Sequence, residues 1–580
     1  MASPASRELW GSDAIAAMLR ALDIPYLALN PGASFRGLHD SLVNYLGNER
    51  PQMLLCVHEE VAVSIAHGYA RAANRMMGAV VHSNVGLMHA TMALFNAWCD
   101  RVPLLLLGAT GPWDAAKRRP WIDWIHTASD QGALVRGYTK WDNQPGSVPA
   151  ALEALLRAVQ IADTAPRGPV YVNLDAAIQE AKLGELPPLP DVQRYRAGRS
   201  PEPPREQIAE AARILSSATN PLILAGRVSR SLEGWKARVA LAEKLQARVV
   251  TDLKHAAAFP TDHALHAGVS GAQAMRAIRE ADVVLALEWT DLAGTLKTAY
   301  GGEPVRAKVI NVSCDVHLHR GWSMDYQALP PVDVQLLSEP DVAVPLILQA
   351  CRQRKDAPTD LLRERKPLPQ PSEVSLLAVA QALERAAGDS DICIAKLPIG
   401  WNGAYRQFRH PLDYLGADGG AGVGAGPGLT VGASLALQGT GRIPIGIVGD
   451  GDFLMASTAV WTAAHYRLPA LFIVCNNRSF YNDEMHQERM AKERARPVDN
   501  KWIGQKMIDP EIDIAAIARA QGAQGIGPVA KLAELQPAIE RGLETARSGG
   551  VAVIDARVLP GYDSDLNPSP DPAPASARGR

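Results

Sequence analysis

The sequence predicts an α/β protein made of three successive segments, each a mostly parallel sheet flanked by helices. Three observations carry that expectation. Short apolar runs of strand length alternate with amphipathic runs of helix length along the chain. Two proline-rich stretches interrupt the alternation: Gly184 to Glu206 holds Pro187, Pro188, Pro190, Pro201, Pro203 and Pro204, and Arg352 to Ser372 holds Pro358, Pro367, Pro369 and Pro371. A length of 580 residues fits about three to four domains, and 47% apolar content is ample for their cores. The segments so marked are 1–183, 207–351 and 373–562, followed by a tail, 563–580, too poor in apolar residues to pack and expected to be disordered.

In the first segment, Met53 to Val57 reads as a strand, and Glu59 opens a helix that ends in Gly68-Tyr69-Ala70-Arg71. The middle segment starts with the strand Pro221 to Ala225 and continues through Val249-Val250, Val283 to Leu287 and Val309 to Val312, with helices between them. In the third, Ile443 to Val448 has the length of a buried strand, Phe453 to Tyr466 puts Leu454, Val460 and Trp461 at helical spacing, and Leu471 to Val474 is the next strand. A glycine-rich run, Gly416 to Gly428, precedes this unit and contains Gly-x-Gly-x-x-Ala. In a dinucleotide fold that pattern follows directly on a strand and opens a helix. Here the preceding Gln407 to Tyr414 includes His410-Pro411 and is a poor central strand, so nicotinamide or flavin binding is the weaker reading.

Chemistry concentrates where the strands of the third segment end. Gly449-Asp450-Gly451-Asp452 follows one strand and Cys475-Asn476-Asn477 the next, which places Asp450 and Asn477 at the edge where open α/β sheets bind ligands. Gly449 and Gly451 let the backbone approach a phosphate, and the helix start after Gly451 offers free N–H groups to an anion. Asp450, the amide oxygen of Asn477 and a backbone carbonyl at Ser479 form a minimal oxygen set for Mg²⁺, whose other positions go to diphosphate oxygens and water. The bland alternative is an Asp in one turn and an Asn pair in another. The single helix and strand between the two motifs argue against it.

This unit resembles the cofactor signature of the thiamine-diphosphate enzyme superfamily. The order of the three segments is similar to the pyrimidine-binding, central and diphosphate-binding domains of its acetolactate synthase and benzoylformate decarboxylase branch, over nearly the whole chain. The resemblance implies that Asp450 and Asn477 are magnesium ligands and that a second half-site lies elsewhere. Such chemistry needs a carboxylic group against the aminopyrimidine ring, and Val57-His58-Glu59-Glu60-Val61, followed by Gly68-Tyr69-Ala70-Arg71, looks like the His-Glu motif of the superfamily. Glu59 takes the activating position by that match; a helix-start Glu favoured by the dipole is its structural alternative. Glu60, about a quarter-turn round the helix, is read as structural. Within Gly416 to Gly428 the family holds a Gly-hydrophobic-Gly loop that props the bent cofactor. Val423 is the match, smaller than the usual residue.

Val80-Val81-His82-Ser83-Asn84 with Leu94-Phe95-Asn96 looks like benzoylformate decarboxylase, where a His at this place donates and accepts protons. An imidazole suits that work; a strand-end His bonded to backbone is the alternative. Asn30-Pro31-Gly32 is similar too, but Ala33 stands where that enzyme carries a substrate-binding Ser, and Ser34 comes one place later. Trp124-Ile125-His126-Thr127 resembles the loop that holds a substrate-contacting Gln in benzaldehyde lyase and acetolactate synthase, which puts His126 at or beside that position. Asp483 falls where pyruvate decarboxylase carries an acidic catalytic residue; a solvated helix with Glu and Arg pairs is the other reading. Trp401, Tyr405 and Tyr414 either line an aromatic-tolerant pocket or pack in a core.

The function these matches imply is attack on a carbonyl substrate and cleavage of its adjacent carbon–carbon bond. Non-oxidative decarboxylation of a 2-oxo acid, with acyloin formation or cleavage, leads, served by Glu59, by His82 with His126 or Asp483, and by thiamine diphosphate and Mg²⁺. An acetolactate-synthase-like synthase is one rival. A 2-hydroxyacyl-CoA lyase is another, and would need an ADP-binding surface hinted at only by Arg227 and Arg230. A catalytically silent homologue is disfavoured because both half-sites persist in one chain. Nothing in Gly226-Arg227-Val228 demands FAD. Besides the carbonyl substrate, the resemblance implies a second copy as partner, in a homodimer or homotetramer whose first domain faces the third domain of another subunit. A net charge of −2 leaves no footprint for nucleic acid. No apolar stretch approaches a membrane span, and Met1-Ala2-Ser3-Pro4 lacks a signal-peptide core, so a cytoplasmic location is expected. Six scattered cysteines support neither zinc nor a disulfide framework.

Overall fold

The computed structural model describes residues 8–317, 328–354 and 367–561. Three parallel sheets form, one per segment. In the first, the strands lie in the order Gln52–Leu55, Tyr26–Leu29, Gly78–Val80, Leu104–Thr110, Pro169–Asp175 and Trp141–Asn143. The chain leaves Tyr26–Leu29 toward one side and returns to the other at Gly78–Val80, so the order reverses there and a crevice opens at the carboxyl ends of these two strands. Asn30 to Ser34 and Val81-His82 follow directly on them.

The middle sheet runs His266–Val269, Arg248–Thr251, Pro221–Ala225, Val283–Leu287, Lys308–Val312 and Val334–Leu336. The third runs Ile392–Lys396, Ile443–Gly449, Ala470–Cys475, Val551–Ala556 and Gln524–Val529. A short antiparallel pair, Leu9–Trp10 with Lys182–Leu183, joins the two ends of the first segment. Helices cover both faces of the sheets, so central strands such as Leu104–Thr110 are buried along their length and read as unbroken apolar runs.

Several elements differ from expectation. The strand read over Met53 to Val57 is Gln52–Leu55, and the helix opened by Glu59 continues to Ala73. Phe453 to Tyr466 is two helices, Asp450–Met455 and Ala459–His465. Ser457-Thr458 lie in the break, and such residues favour bonds to their own backbone over helix. The strands His266–Val269 and Val334–Leu336 lacked a strong apolar signal. No strand directly precedes the Gly416 to Gly428 run, although the helix Gly426–Ala436 starts inside it. Trp401, Tyr405 and Tyr414 are core residues at 5%, 7% and 2% exposure. The tail 563–580 and residues 355–366 of the second linker lie outside the described residues.

The first and third domains share one core, in which Val61, Ile65 and Leu87 meet Val431, Phe453 and Phe472. Its centre is the crossing of the helices Glu59–Ala73 and Gly426–Ala436. A Cβ on Gly68 would lie 2.2 Å from the Leu429 carbonyl oxygen, and one on Gly432 would lie 2.1 Å from that of Ile65. The two backbones therefore touch, and only glycine fits at these positions.

Candidate active site

Asp450 is the first residue of its helix and 4% exposed. Its Oδ1 accepts the N–H of Gly451 at 2.8 Å, and its Oδ2 accepts that of Ser479 at 3.2 Å. The same Ser479 N–H also reaches Oδ1 of Asn477 at 2.9 Å. The side chains of Asp450 and Asn477 thus meet at the Ser479 N–H. The neighbouring Asn476 does different work: its Nδ2 donates to Asp555 Oδ1 at 2.7 Å, and its Oδ1 accepts the Arg478 N–H at 3.0 Å. Both Asn side chains therefore bond to the turn, Asn476 through Arg478 and Asn477 through Ser479. Burial pushes the Asp450 carboxyl above its ordinary range, and among the described residues no lysine or arginine pairs with it. A buried carboxylate with an amide oxygen beside it and no cationic side chain fits a divalent cation.

Asp452, read as part of the cofactor run, turns its carboxylate to the neighbouring loop. Its Oδ1 accepts the N–H groups of Gly424 at 2.7 Å and Gly426 at 3.1 Å, and so clamps the turn that carries half-buried Val423. Asp483 is exposed on the first turn of the helix Tyr481–Glu493, whereas Glu484 is buried at 4% and accepts a hydrogen bond from the Ser479 hydroxyl. The acid that meets the Ser479 turn is thus the neighbour of the one singled out in the sequence. A step of one residue is about 100° on a helix, and nothing local fixes which face is inward.

In the other half-site, Glu59 starts its helix behind His58, whose Nδ1 accepts the Glu60 N–H at 3.1 Å. Glu59 is 7% exposed, and its Oε2 lies 3.2 Å from Nδ1 of His89. His89 was missed; its signal is a place two helical turns beyond His82. His58, Glu59 and His89 bring one ligand atom each within 4.8 Å of one another. The two imidazoles, however, stack 5.2 Å apart at 21°, and ring lone pairs lie in the ring planes, so this pose cannot aim both at one ion. Glu60 lies beside the other half-site: a Cβ on Gly424 would be 3.6 Å from its Oε1, and burial, then Asp452, raises its carboxyl.

His82 precedes the helix Ser83–Cys99 at the crevice of the first sheet. Its Nδ1 is 2.8 Å from the Ser34 hydroxyl and its Nε2 3.2 Å from Nδ1 of His126. Burial, then the nearby His126, lowers its pKa. The structure thus joins the two histidines and adds Ser34, which comes within reach despite its shift along the chain. Arg227 and Arg230 are already engaged. Arg227 pairs with Glu288 and Asp315, and Arg230 donates to the carbonyls of Arg71 at 3.0 Å and Val228 at 3.1 Å. All six cysteines are free, and no described helix is long and apolar enough to cross a membrane.

Three family models match in the order of the three domains: the N-terminal TPP binding domain of thiamine pyrophosphate enzymes over 9–135, their central domain over 208–321 and their C-terminal TPP binding domain over 398–556. The chain belongs to the thiamine-diphosphate-dependent enzymes and is an enzyme of that class. Among curated proteins it is 26% identical to the benzoylformate decarboxylase of Pseudomonas aeruginosa, over 85% of this chain and 90% of that one. It is 25% identical to the acetolactate synthase large subunit of Lactococcus lactis, over 89% and 88%. It is 27% identical to a probable 2-ketoarginine decarboxylase of Pseudomonas aeruginosa, over 90% and 89%. Among solved structures, the benzoylformate decarboxylase of Polynucleobacter necessarius superposes with a TM-score of 0.78 at 21% identity, covering 96% of this chain and 99% of that one. At that identity the likeness is one of fold.

Proposed function

We propose that this enzyme decarboxylates a 2-oxo acid without oxidation and makes or cleaves acyloins, using thiamine diphosphate and Mg²⁺. The observation that carries the reading is the meeting of Ser34, His82 and His126 at the crevice of the first sheet, close enough to Glu59 for its charge to act on His82. When bound, thiamine diphosphate supplies a carbon nucleophile and an electron sink for carbon–carbon cleavage. Asp450, the Asn477 amide oxygen and the Ser479 carbonyl would hold Mg²⁺ for its diphosphate. Glu59 holds and moves a proton at its carboxyl, with Oε2 steadied by His89. Asp452 keeps the Val423 loop in place from beneath. His82 and His126 handle substrate protons. The acyl-CoA reading loses its support, because the two arginines that hinted at it are engaged with the protein's own carboxylates and carbonyls. Self-association, with the first domain of one copy facing the third of another, is part of the proposal; within one chain these two domains share a core.

The test is a screen of 2-oxo acids and 2-hydroxy ketones with purified protein, thiamine diphosphate and Mg²⁺, with products identified by mass spectrometry. An aldehyde formed from a 2-oxo acid only when both cofactors are present is the expected result. Cleavage of acyl-CoA substrates alone would overturn it, and a product joining two 2-oxo acids would make the enzyme a synthase.

A further inference from the structure

The loop Asn30 to Ser34 and the ring of His82 are built against each other. A Cβ on Gly32 would lie 2.2 Å from the His82 Cβ and 2.6 Å from its Nδ1, so glycine alone lets the loop pass flush along the imidazole. The turn Ala33–Phe35 then sets Ser34, 4% exposed, on the ring. Its hydroxyl is 2.8 Å from Nδ1, and its backbone N–H donates to the same nitrogen at 3.4 Å. Ser34 is itself held, since its carbonyl accepts Nε2 of Gln179 at 3.0 Å while Oε1 of Gln179 accepts the Leu38 N–H at 3.2 Å.

A backbone N–H can only donate. Nδ1 is therefore the lone-pair nitrogen of His82, and in the neutral ring the proton sits on Nε2. That Nε2 faces Nδ1 of His126 at 3.2 Å, with the rings perpendicular at 90° and 4.8 Å between centroids. Nδ1 of His126 then accepts, and its own proton is on Nε2. The second histidine is also fixed from behind: the Ser83 hydroxyl donates to its carbonyl, and Asn84 Nδ2 donates to the Ile125 carbonyl at 3.3 Å.

We propose that Ser34 is a positioning residue that fixes His82 in the Nε2–H tautomer and so makes His82 and His126 one directional donor chain, with Nε2 of His126 its terminal proton-bearing atom. The proposal rests on the reading of His82 as a pocket residue and gives that residue a direction. In the neutral pair, hydrogen is offered to a substrate oxygen and none is accepted. For the pair to take up a proton, either Nδ1 of His82 gives up the Ser34 N–H or Nδ1 of His126 gives up the His82 N–H. The charged and titratable groups that act on His82 are His126, Glu59 and Arg119.

The test is nitrogen NMR of the full chain labelled with ¹⁵N-histidine and loaded with thiamine diphosphate and Mg²⁺, the His82 signals being those lost in His82→Gln. In the wild type, Nδ1 of His82 should appear as the acceptor nitrogen and Nε2 as the protonated one. Ser34→Ala should move the tautomer ratio toward Nδ1–H by on the order of tenfold, the loss of one neutral hydrogen bond, and Ser34→Thr, which keeps a hydroxyl, should restore it. A wild-type His82 protonated on Nδ1 overturns the proposal, and it does so even if Ser34→Ala fails to fold. An unchanged ratio in a folded Ser34→Ala overturns the part of the Ser34 hydroxyl, because that variant keeps the backbone N–H at Nδ1. Full turnover by His82→Ala would instead remove the pocket reading while leaving the tautomer assignment in place.

Discussion

Replacing Asp450 by Asn separates what a buried carboxylate does to the fold from what it does for a ligand. Asp450 is 4% exposed, and its oxygens accept two backbone N–H groups at 2.8 and 3.2 Å. Burial raises its carboxyl above the ordinary range. Between the ordinary and the raised pKa the folded chain binds more protons than the unfolded one, so stability falls as pH rises, and above the folded pKa the cost is carried in full. The two N–H groups go to different oxygens, so Asn keeps an acceptor for only one of them and turns its NH₂ toward the other, a loss that removal of the buried charge offsets in part. The ligand-free variant should therefore lie within about 1–3 kcal/mol of the wild type at neutral pH. The ligand-bound comparison goes the other way. At a hundred times Kd, Mg²⁺ with thiamine diphosphate stabilises the wild type by about 2.7 kcal/mol, which for a domain of this size is roughly 5–10 °C in Tm. In the variant that shift should vanish, because an anionic ligand of the cation has become neutral. Calorimetric melting with and without both cofactors reads the two effects separately. An undiminished shift in Asp450→Asn refutes the metal role; a ligand-free variant several kcal/mol weaker than wild type assigns the carboxylate to the fold.

Glu59→Gln should fold and bind cofactor yet lose activity, since an amide cannot relay the proton; wild-type exchange of deuterium at the reactive carbon of the bound cofactor would contradict this. His82→Ala should slow turnover by on the order of 10²–10⁴-fold with little loss of stability, checked by steady-state kinetics beside a urea melt; normal turnover removes its role. Gly432→Val drives a side chain into the Ile65 carbonyl, where a Cβ has only 2.1 Å, and should cost at least about 1–3 kcal/mol in urea unfolding; a change under about 0.5 kcal/mol would mean that the helix crossing is looser than described. Mixing Glu59→Gln chains with Asp450→Ala chains under subunit exchange should restore activity if copies share their sites. A crossing closed within each chain restores none.

The strands and the turns that follow them were legible because their signals are local. An apolar run such as Ile443 to Val448 can hardly be anything but a buried strand, and Asp450 and Asn477 are fixed to the ends of their strands by the chain itself. The substrate side was less legible. Ser34 reaches His82 through the tight turn Ala33–Phe35, which no periodicity announces. Glu484 rather than Asp483 meets Ser479 because of a helix rotation set by packing. Trp401, Tyr405 and Tyr414 look alike as core or pocket residues in a sequence, and only burial assigns them to the core. Asp452 reads as part of a phosphate turn, whereas its carboxylate is spent on Gly424 and Gly426.

The meshed backbones of Glu59–Ala73 and Gly426–Ala436 also set how this enzyme can move. A slide of one residue along either axis is about 1.5 Å, more than the clearance left where Gly68 meets Leu429 and Gly432 meets Ile65. Glu59 begins one of these helices and the Val423 loop leads into the other. Their separation is therefore tied to the close contact of the two helices. Moving Glu59 away from the Val423 loop along these axes would first have to break the backbone contacts at Gly68 and Gly432.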